Sequence, residues 1–337
     1  MKILVVGLGS MGKRRIRNLL KLGFKNIIGF DTTLSRLKET EKIFSITTTS
    51  SITSALKHKP NVMIVATPPD HHLKYVKIAI KNNIDFFTEL NLISNHVEKI
   101  IQLTKNKSII CSPSFTMHFH PLVKELKKLI QKNVVGKILI IQHHSGQYLP
   151  NWHPWEDYRK FFVAKKITGG ARELMPIELI WLTYIFNEIH SVSANVQKIS
   201  KLDVDIDDVY QVLMKFKNNV SCTLTVDVLS IPSFRETKII GEKGTILCDF
   251  NNGILKILKG KTMKVIPLKL GSVAKGYRGS TPPETLYEDE IKVFLHSVKN
   301  REKYFFSFNE ELKILKILDA IEKSSKNKKQ IMLRQGE

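Results

Sequence analysis

The sequence predicts an α/β chain in two parts: a doubly wound parallel sheet over residues 1–118, then an α+β domain with a mostly antiparallel sheet over residues 119–330. Three observations carry this reading. Apolar runs alternate with helix-like stretches through the first part, as a parallel sheet requires. Ile3-Leu4-Val5-Val6 runs directly into Gly7-Leu8-Gly9-Ser10-Met11-Gly12. After His120-Pro121 the texture changes to β-rich runs joined by hairpin-like junctions such as Lys217-Asn218-Asn219 and Glu242-Lys243-Gly244.

In chain order, strands are expected at 2–6, 26–30, 43–46, 62–66, 84–88 and 108–112, with helices near 12–22, 34–40, 51–57, 71–82 and 95–104. Pro60, Pro68 and Pro69 punctuate the boundaries. A helix at about 121–132 leads to a strand from Lys137 to Gln142, an aromatic, proline-bearing loop at 148–162, and a long apolar helix near 172–187. Strands at 189–198, 208–217, 220–229, 235–241 and 244–250 follow. The stretch 271–283, rich in Gly, Ser and Pro, reads as a loop, and helices near 284–299 and 308–324 close the domain.

Composition limits the function classes. At 337 residues, 42% hydrophobic and 25% charged, the chain suits two globular domains. No apolar run approaches the roughly 20 residues that span a bilayer. Lys2 leads straight into the first strand, so no signal peptide is expected. Cys111, Cys222 and Cys248 are far apart and lack metal-type spacing, so reduced thiols and a cytoplasmic location are expected. The net charge of +22 comes from lysines scattered through every segment, without aromatic interleaving, so no specific nucleic-acid partner is expected. No metal site is expected either, because His143 and His144 are neighbours on a strand and point to opposite faces.

The glycine segment has the spacing of a dinucleotide fingerprint. Gly7 allows the tight turn, Gly9 lets a pyrophosphate approach the backbone, and Gly12 lets the helix pack closely; Ser10 and Met11 complete the turn. The phosphates would rest on the helix's unsatisfied N–H groups. Asp31 stands 24 residues after Gly7, at the end of the run Ile27-Ile28-Gly29-Phe30, where a carboxylate accepts from the adenosine ribose hydroxyls. This Rossmann arrangement favours NAD. Thr32, Thr33 and Arg36 are placed to receive a 2′-phosphate, which keeps NADP open.

A second segment, Val62-Met63-Ile64-Val65-Ala66-Thr67-Pro68-Pro69-Asp70-His71-His72-Leu73, is a buried strand ending in a Thr-Pro-Pro turn. With the glycine fingerprint, it resembles the glucose–fructose oxidoreductase / inositol dehydrogenase (Gfo/Idh/MocA) family over most of the chain. The texture is nearest to members from surface-sugar and sialic-acid-like pathways. The resemblance implies that Thr67 and Pro68 lie against the dinucleotide, that His72 shapes the turn, and that Glu89 belongs to the cofactor site. It also exposes two departures. Where the family has Glu-Lys-Pro, this chain has Glu89-Leu90-Asn91; where the family places an acid and a histidine after a Gly-Gly pair, an ungapped reading gives Leu174 and Ile177. Leucine and isoleucine cannot move a proton. A shifted register brings Glu173 or Glu178 closer to those roles.

The expected activity is therefore hydride transfer between a nicotinamide and a ring carbinol or carbonyl of a sugar or nonulosonic-acid-like substrate, itself possibly anionic. The alternative is a dinucleotide-binding but catalytically silent sensor or scaffold in a glycan pathway. On the substrate side, the loop Tyr148 to Arg159 supplies candidate proton donors in His153 and Tyr158. His120, Trp152, Arg159 and Arg172 are candidate substrate contacts. Trp152 and Trp155 serve either as sugar-stacking faces or as packing anchors. Arg159 is suited to clamp a carboxylate or phosphate. Arg172 beside Glu173 reads as a local ion pair at a helix start or as a substrate contact. His118 reads as structural. One open face of the C-terminal sheet is expected to serve a homo-oligomer, with no membrane contact.

Overall fold

The computed structural model describes residues 1–273 and 282–333. They divide into two compact units: Met1–Thr116 with Glu284–Lys313, and Met117–Pro283 with Ile314–Glu337. The segment 284–313, which the sequence reading left in the second part, thus packs with the first unit. The loop expected at 271–283 lies outside the described residues over 274–281.

The first unit is built on six parallel strands: β1 (Ile3–Val6), β2 (Ile27–Phe30), β3 (Thr47–Thr49), β4 (Val62–Val65), β5 (Asp85–Thr88) and β6 (Cys111–Pro113). Their order across the sheet is β3-β2-β1-β4-β5-β6, the doubly wound arrangement the alternation predicts. β1 lies at the point where the strand order reverses, and ligands bind such sheets at the carboxyl ends of the strands there. Every side chain of β1 and β4 is fully buried, as strands covered on both faces must be. The helices between them are α1 (Ser10–Lys21), α2 (Leu34–Phe44), α3 (Ile52–Lys57), α4 (His72–Lys81) and α5 (Ser94–Thr104). One strand lies later than expected. α2 continues through Phe44 to a left-handed Ser45 (φ 52°), so β3 forms at 47–49 rather than 43–46.

The second unit carries α6 (Pro121–Gln131), α7 (Ala171–Phe186) and strands β7 (Ile138–Gly146), β8 (Ile189–Gln197), β9 (Val209–Phe216), β10 (Ser221–Asp227), β11 (Phe234–Gly241), β12 (Gly244–Asp249), β13 (Ile254–Lys259) and β14 (Thr262–Pro267). With β15 (Ile331–Met332) they form one sheet in the order β14-β13-β12-β11-β7-β10-β9-β8-β15. All its pairings are antiparallel except β7 with β10. Along β9, Tyr210, Val212, Met214 and Phe216 are buried, while Gln211, Leu213 and Lys215 are exposed. One face is covered and the other open, as antiparallel sheets allow. The hairpin β13–β14 was not foreseen, because Lys256, Lys259, Lys261 and Lys264 break up its apolar run, and Gly260 (φ 53°) makes its turn.

α8 (Glu284–Asn300) returns to the first unit and packs along α1. The join is electrostatic. Arg14 meets Glu284 at 2.7 Å and Lys21 meets Glu288 at 2.7 Å, but the centre is Arg15, which is fully buried. Its guanidinium donates to both oxygens of Glu89 (2.6 and 3.1 Å), to Glu290 (2.7 Å) and to the Tyr287 carbonyl (3.2 Å). Glu290, also fully buried, accepts in turn from Ser114 Oγ, the Phe115 amide and Thr116 Oγ1. Removing one member strands the others as uncompensated buried charge. Arg15→Met is therefore expected to lower the unfolding free energy by about 3–5 kcal/mol, measured by denaturant titration, whereas Lys21→Met at the exposed pair should change it by under about 1 kcal/mol. Equal losses for the two variants would contradict this account.

Candidate functional site

The glycine turn is fixed by close approach. Gly7 has φ 90°, and a Cβ on it would lie 2.7 Å from the Ala66 carbonyl oxygen. A Cβ on Gly12 would overlap the Gly7 carbonyl oxygen at 1.8 Å. Both positions require glycine, one to turn and one to let α1 close down. Over Gly9 a Cβ would meet only the Arg36 guanidinium, at 3.9 Å, so the backbone there is open to a ligand. α1 begins at Ser10 with no side-chain cap and no acid in its first turn. Its first N–H groups, around Ser10, Met11 and Gly12, are those a diphosphate would accept from.

Asp31 closes β2 and is nearly buried. Its carboxylate accepts from the Leu8 amide (2.8 Å) and the Thr33 amide (2.8 Å), with Arg36 at 3.8 Å. Those amides hold the carboxylate beside the glycine turn, in the place where ribose hydroxyls would donate to it.

The third side of the cradle is the turn after β4. Thr67 and Pro68 are half-buried, and the Thr67 hydroxyl oxygen is buried with no partner among the described residues. An orphaned buried hydroxyl calls for an outside partner. A nicotinamide dinucleotide fits these residues: bare amides at Gly9, a fixed carboxylate at Asp31 and an unsatisfied hydroxyl at Thr67. The turn itself is held from below. His72, fully buried and with its pKa lowered by burial, donates through Nε2 to the Thr67 carbonyl (2.8 Å) and meets Asn91 at 2.9 Å through Nδ1. Asn91 donates through its backbone and side chain to Glu311 (2.9 Å each) and to Thr88 Oγ1 (2.9 Å). Glu89 faces Arg15 with both oxygens, so it secures the end of β5. Leu90 beside it is half-buried.

In the second unit, the Gly-Gly pair is again a packing requirement. A Cβ on Gly169 would overlap the Val163 carbonyl oxygen at 1.8 Å, and Gly170 has φ 64° with the Asp207 carbonyl oxygen 2.6 Å from its Cβ position. The aromatic loop is thereby stitched to the start of α7, through Gly169 N to Lys165 O (2.7 Å), Gly170 N to Val163 O (3.1 Å) and Thr168 Oγ1 to Phe162 O (2.9 Å). Behind α7 lies a polar core. Glu178, fully buried, accepts at one oxygen from His143 Nε2 (2.9 Å) and Trp181 Nε1 (2.8 Å), while Arg235 lies 2.9 Å from the other. Burial alone would raise its pKa, but Arg235 and His143 outweigh it and hold the carboxyl at about 2. The shifted-register candidate Glu178 is thus a permanent anion in the core.

The substrate-side residues scatter. His153 stacks on Trp155 (5.2 Å) and Phe161 (5.2 Å) and meets Glu156 at 3.1 Å. The Tyr158 hydroxyl accepts from the Asp203 amide at 3.3 Å. Arg159 spends its donors on Asp157 (2.8 and 2.9 Å) and Asp203 (3.2 Å). Arg172 pairs with Glu322 (2.6 Å) and the Ile167 carbonyl (2.8 Å); the expected local pair with Glu173 gives way to this one, because the side chain turns under the helix into a buried position. Trp152 is half-buried, with its indole N–H enclosed and without a partner among the described residues, while Trp155 is 54% exposed. His120 caps α6, accepting from the Leu122 amide through Nδ1 (3.2 Å), so its proton sits on Nε2. Burial and the nearby Arg235 lower its pKa to about 3. Sequence reasoning missed Arg15, Asn91, Glu290 and Glu311. In the sequence Asn91 stands out only as a departure from the proline that the family resemblance implies.

Known families match both units. Residues 1–115 match an oxidoreductase family described as an NAD-binding Rossmann fold, and residues 123–247 match the GFO/IDH/MocA C-terminal domain. This chain belongs to the Gfo/Idh/MocA family. It is 23% identical over 347 residues to myo-inositol 2-dehydrogenase of Thermotoga maritima, covering 99% of each chain. It is 27% identical over 207 residues to 2,7-anhydro-N-acetylneuraminate hydratase of Mediterraneibacter gnavus, a match spanning 58% of this chain and 53% of that relative. Among solved structures, levoglucosan dehydrogenase in complex with NADH and levoglucosan superposes with a TM-score of 0.84 at 17% identity, covering 99% of this chain and 100% of the other. The fold and the NAD-binding assignment are thereby established. Among the described residues, no helix is long and apolar enough to cross a membrane.

Two outcomes follow. Asp31→Ala should weaken NADH binding about ten- to a hundred-fold, the worth of roughly 1.5–3 kcal/mol for hydrogen bonds to a charged acceptor, measured by fluorescence titration; unchanged affinity would remove Asp31 from the site. His120 is neutral in the fold, against an ordinary pKa of 6.5 and a folded one of about 3. Its contribution is therefore complete above pH 6.5 and is lost as pH falls toward 3. Unfolding free energy should decline between pH 7 and 5, and His120→Asn, which keeps the helix cap, should flatten that decline.

Proposed function

We propose that this protein is an NAD-dependent oxidoreductase that moves hydride between the cofactor and a ring carbinol or carbonyl of a sugar-like, and in one variant nonulosonic-acid-like, substrate. The cradle of Gly7, Gly9, Gly12, Asp31 and the orphaned Thr67 hydroxyl is the observation that carries it. Bound NAD supplies the hydride chemistry; this chain's residues hold and orient it. Ser10, Met11 and Gly12 offer amides to the diphosphate, Asp31 accepts from the adenosine ribose, and Pro68 with His72 keeps Thr67 in place. Glu89 acts on the cofactor side by anchoring the end of β5. On the substrate side, exposed Trp155 with stacked His153 offers an aromatic surface suited to a sugar ring. Trp152, the chain neighbour of His153, supplies an indole N–H without a partner among the described residues. Tyr158 is a second candidate proton donor, its hydroxyl oxygen positioned by the Asp203 amide, and Arg159 and Arg172 act by holding the loop and α7 in shape.

A second reading rests on Leu90 and Ile177, half-buried apolar side chains at positions where the family resemblance implies proton-moving groups. It makes the protein a dinucleotide-binding sensor or scaffold in a glycan pathway. For both readings we propose a cytoplasmic setting, on the strength of three separate free cysteines. A homo-oligomer through the open sheet face is proposed on the exposed Leu213, Ile140, Met263 and Val265. The deciding experiment is NADH binding followed by turnover with levoglucosan, myo-inositol, keto-sugars and nonulosonic acids. Oxidation or reduction of any one is the expected result. Tight NADH binding with no turnover of any would establish the silent reading.

A further inference from the structure

We propose that Glu311 is a positioning residue for the cofactor turn, acting through Asn91 and His72 as a neutral acid whose ionisation loosens Thr67. The proposal rests on the placement of Thr67 against the dinucleotide. Thr67, His72, Thr88, Asn91 and Glu311 all belong to the first unit. All but Thr67 are buried. Glu311 lies in the first turn of α9 (Phe308–Asn327). Its carboxyl meets the Asn91 backbone amide and the Asn91 side chain, at 2.9 Å each, and among the described residues no cation reaches it.

An ionised Glu311 sets these groups in conflict. A carboxylate only accepts, so Asn91 must turn its NH2 group to Glu311 and Thr88 and its amide oxygen to His72 Nδ1. His72 Nε2 faces the Thr67 carbonyl. Both ring nitrogens then face oxygen acceptors, yet a neutral imidazole carries a single N–H. Either Thr67 or Asn91 loses its bond to the ring unless His72 becomes charged. Burial opposes that charge, against the pull of Asn91, the Thr67 carbonyl, Glu89 and Asp70.

A protonated Glu311 removes the conflict. Its O–H donates to the Asn91 oxygen, while its other oxygen still accepts from the Asn91 backbone amide. The side-chain amide, turned over in place, then donates to His72 Nδ1, and the Thr88 hydroxyl donates to the Asn91 oxygen. His72 keeps its one proton on Nε2 for Thr67. Both ring nitrogens and both carboxyl oxygens are thereby satisfied without a buried charge, which is the less costly arrangement in an interior. Burial, countered only by the two bonds from Asn91, pushes the Glu311 carboxyl up to about 8, the direction this arrangement requires. The other charges nearby are engaged or outside: Glu89 is bound by Arg15, Asp70 lies 3.8 Å from His71, and Glu310 is exposed and bonded to Ser307.

The test reads cofactor affinity against pH. NADH titrated by fluorescence into wild type should bind about three- to ten-fold more weakly as pH rises through about 8, the worth of one hydrogen bond. A constant affinity over that range overturns the proposal. Glu311→Ala, which leaves the Asn91 donors unpaired, should weaken binding to a similar degree at neutral pH. Glu311→Gln keeps an acceptor and a donor where the neutral acid has them, so it should rescue the affinity and abolish the decline near pH 8. A glutamine variant that retains the decline, or binds no better than Glu311→Ala, refutes the assignment. An infrared difference spectrum of cofactor-free wild type minus Glu311→Gln at neutral pH should carry a protonated-carboxyl band, and a carboxylate band in its place refutes it as well. Thr67→Val tests the underlying placement separately. If that variant binds NADH as wild type does while the carboxyl band persists, Thr67 does not touch the dinucleotide, and the link from Glu311 to the cofactor is overturned.

Discussion

The first unit depends on one buried cation. Arg15 carries its charge on α1, directly behind the glycine turn, and satisfies it with Glu89 at the end of β5 and Glu290 on α8. These three residues span 275 positions of sequence, so the guanidinium fixes a strand end, a helix start and a returning helix to one another. Taking such charges out of water is favourable only when every donor and acceptor is used, and here the remaining Glu290 valences are filled by Ser114, Phe115 and Thr116. The geometry of the cofactor turn follows. α1 cannot tilt away from β1 without exposing two carboxylates to an empty interior, and Gly12 already holds it in contact with Gly7.

A similar logic, with a different outcome, runs through the second unit. Its sheet is closed on the α7 side by a polar core of Glu178, His143 and Arg235, and the opposite face is left open. Charge pairing keeps Glu178 anionic, whereas isolation keeps Glu173 neutral. The same residue type, five positions apart on one helix, is thus driven to opposite states by its surroundings. The side chains of the aromatic loop are mostly occupied in holding that loop: Arg159 with Asp157 and Asp203, and Tyr158 with Asp203.

Much of this was legible in the chain itself. The glycine spacing, the buried runs at 3–6 and 62–65 and the position of Asp31 specify the parallel sheet and its crest, because each follows from backbone geometry over a few neighbouring residues. What the sequence concealed depends on distant partners. Arg15 looks like one more charge in a basic helix until Glu290 is brought beside it. Asn91 looks like a lost proline until Glu311 and His72 meet its amide. Glu173 beside Arg172 looks like an ion pair, yet Arg172 reaches Glu322, 150 residues away. Residue type predicts local turns well; the protonation and pairing of a carboxyl are set by whatever the fold packs against it.

The most direct examination of the whole account is a crystal structure grown with NADH. The diphosphate should lie against the amides of Ser10, Met11 and Gly12, with the adenosine ribose hydroxyls on Asp31 and the Thr67 hydroxyl in contact with the bound dinucleotide. A cofactor bound elsewhere, or one that leaves Asp31 and Thr67 untouched, would contradict it.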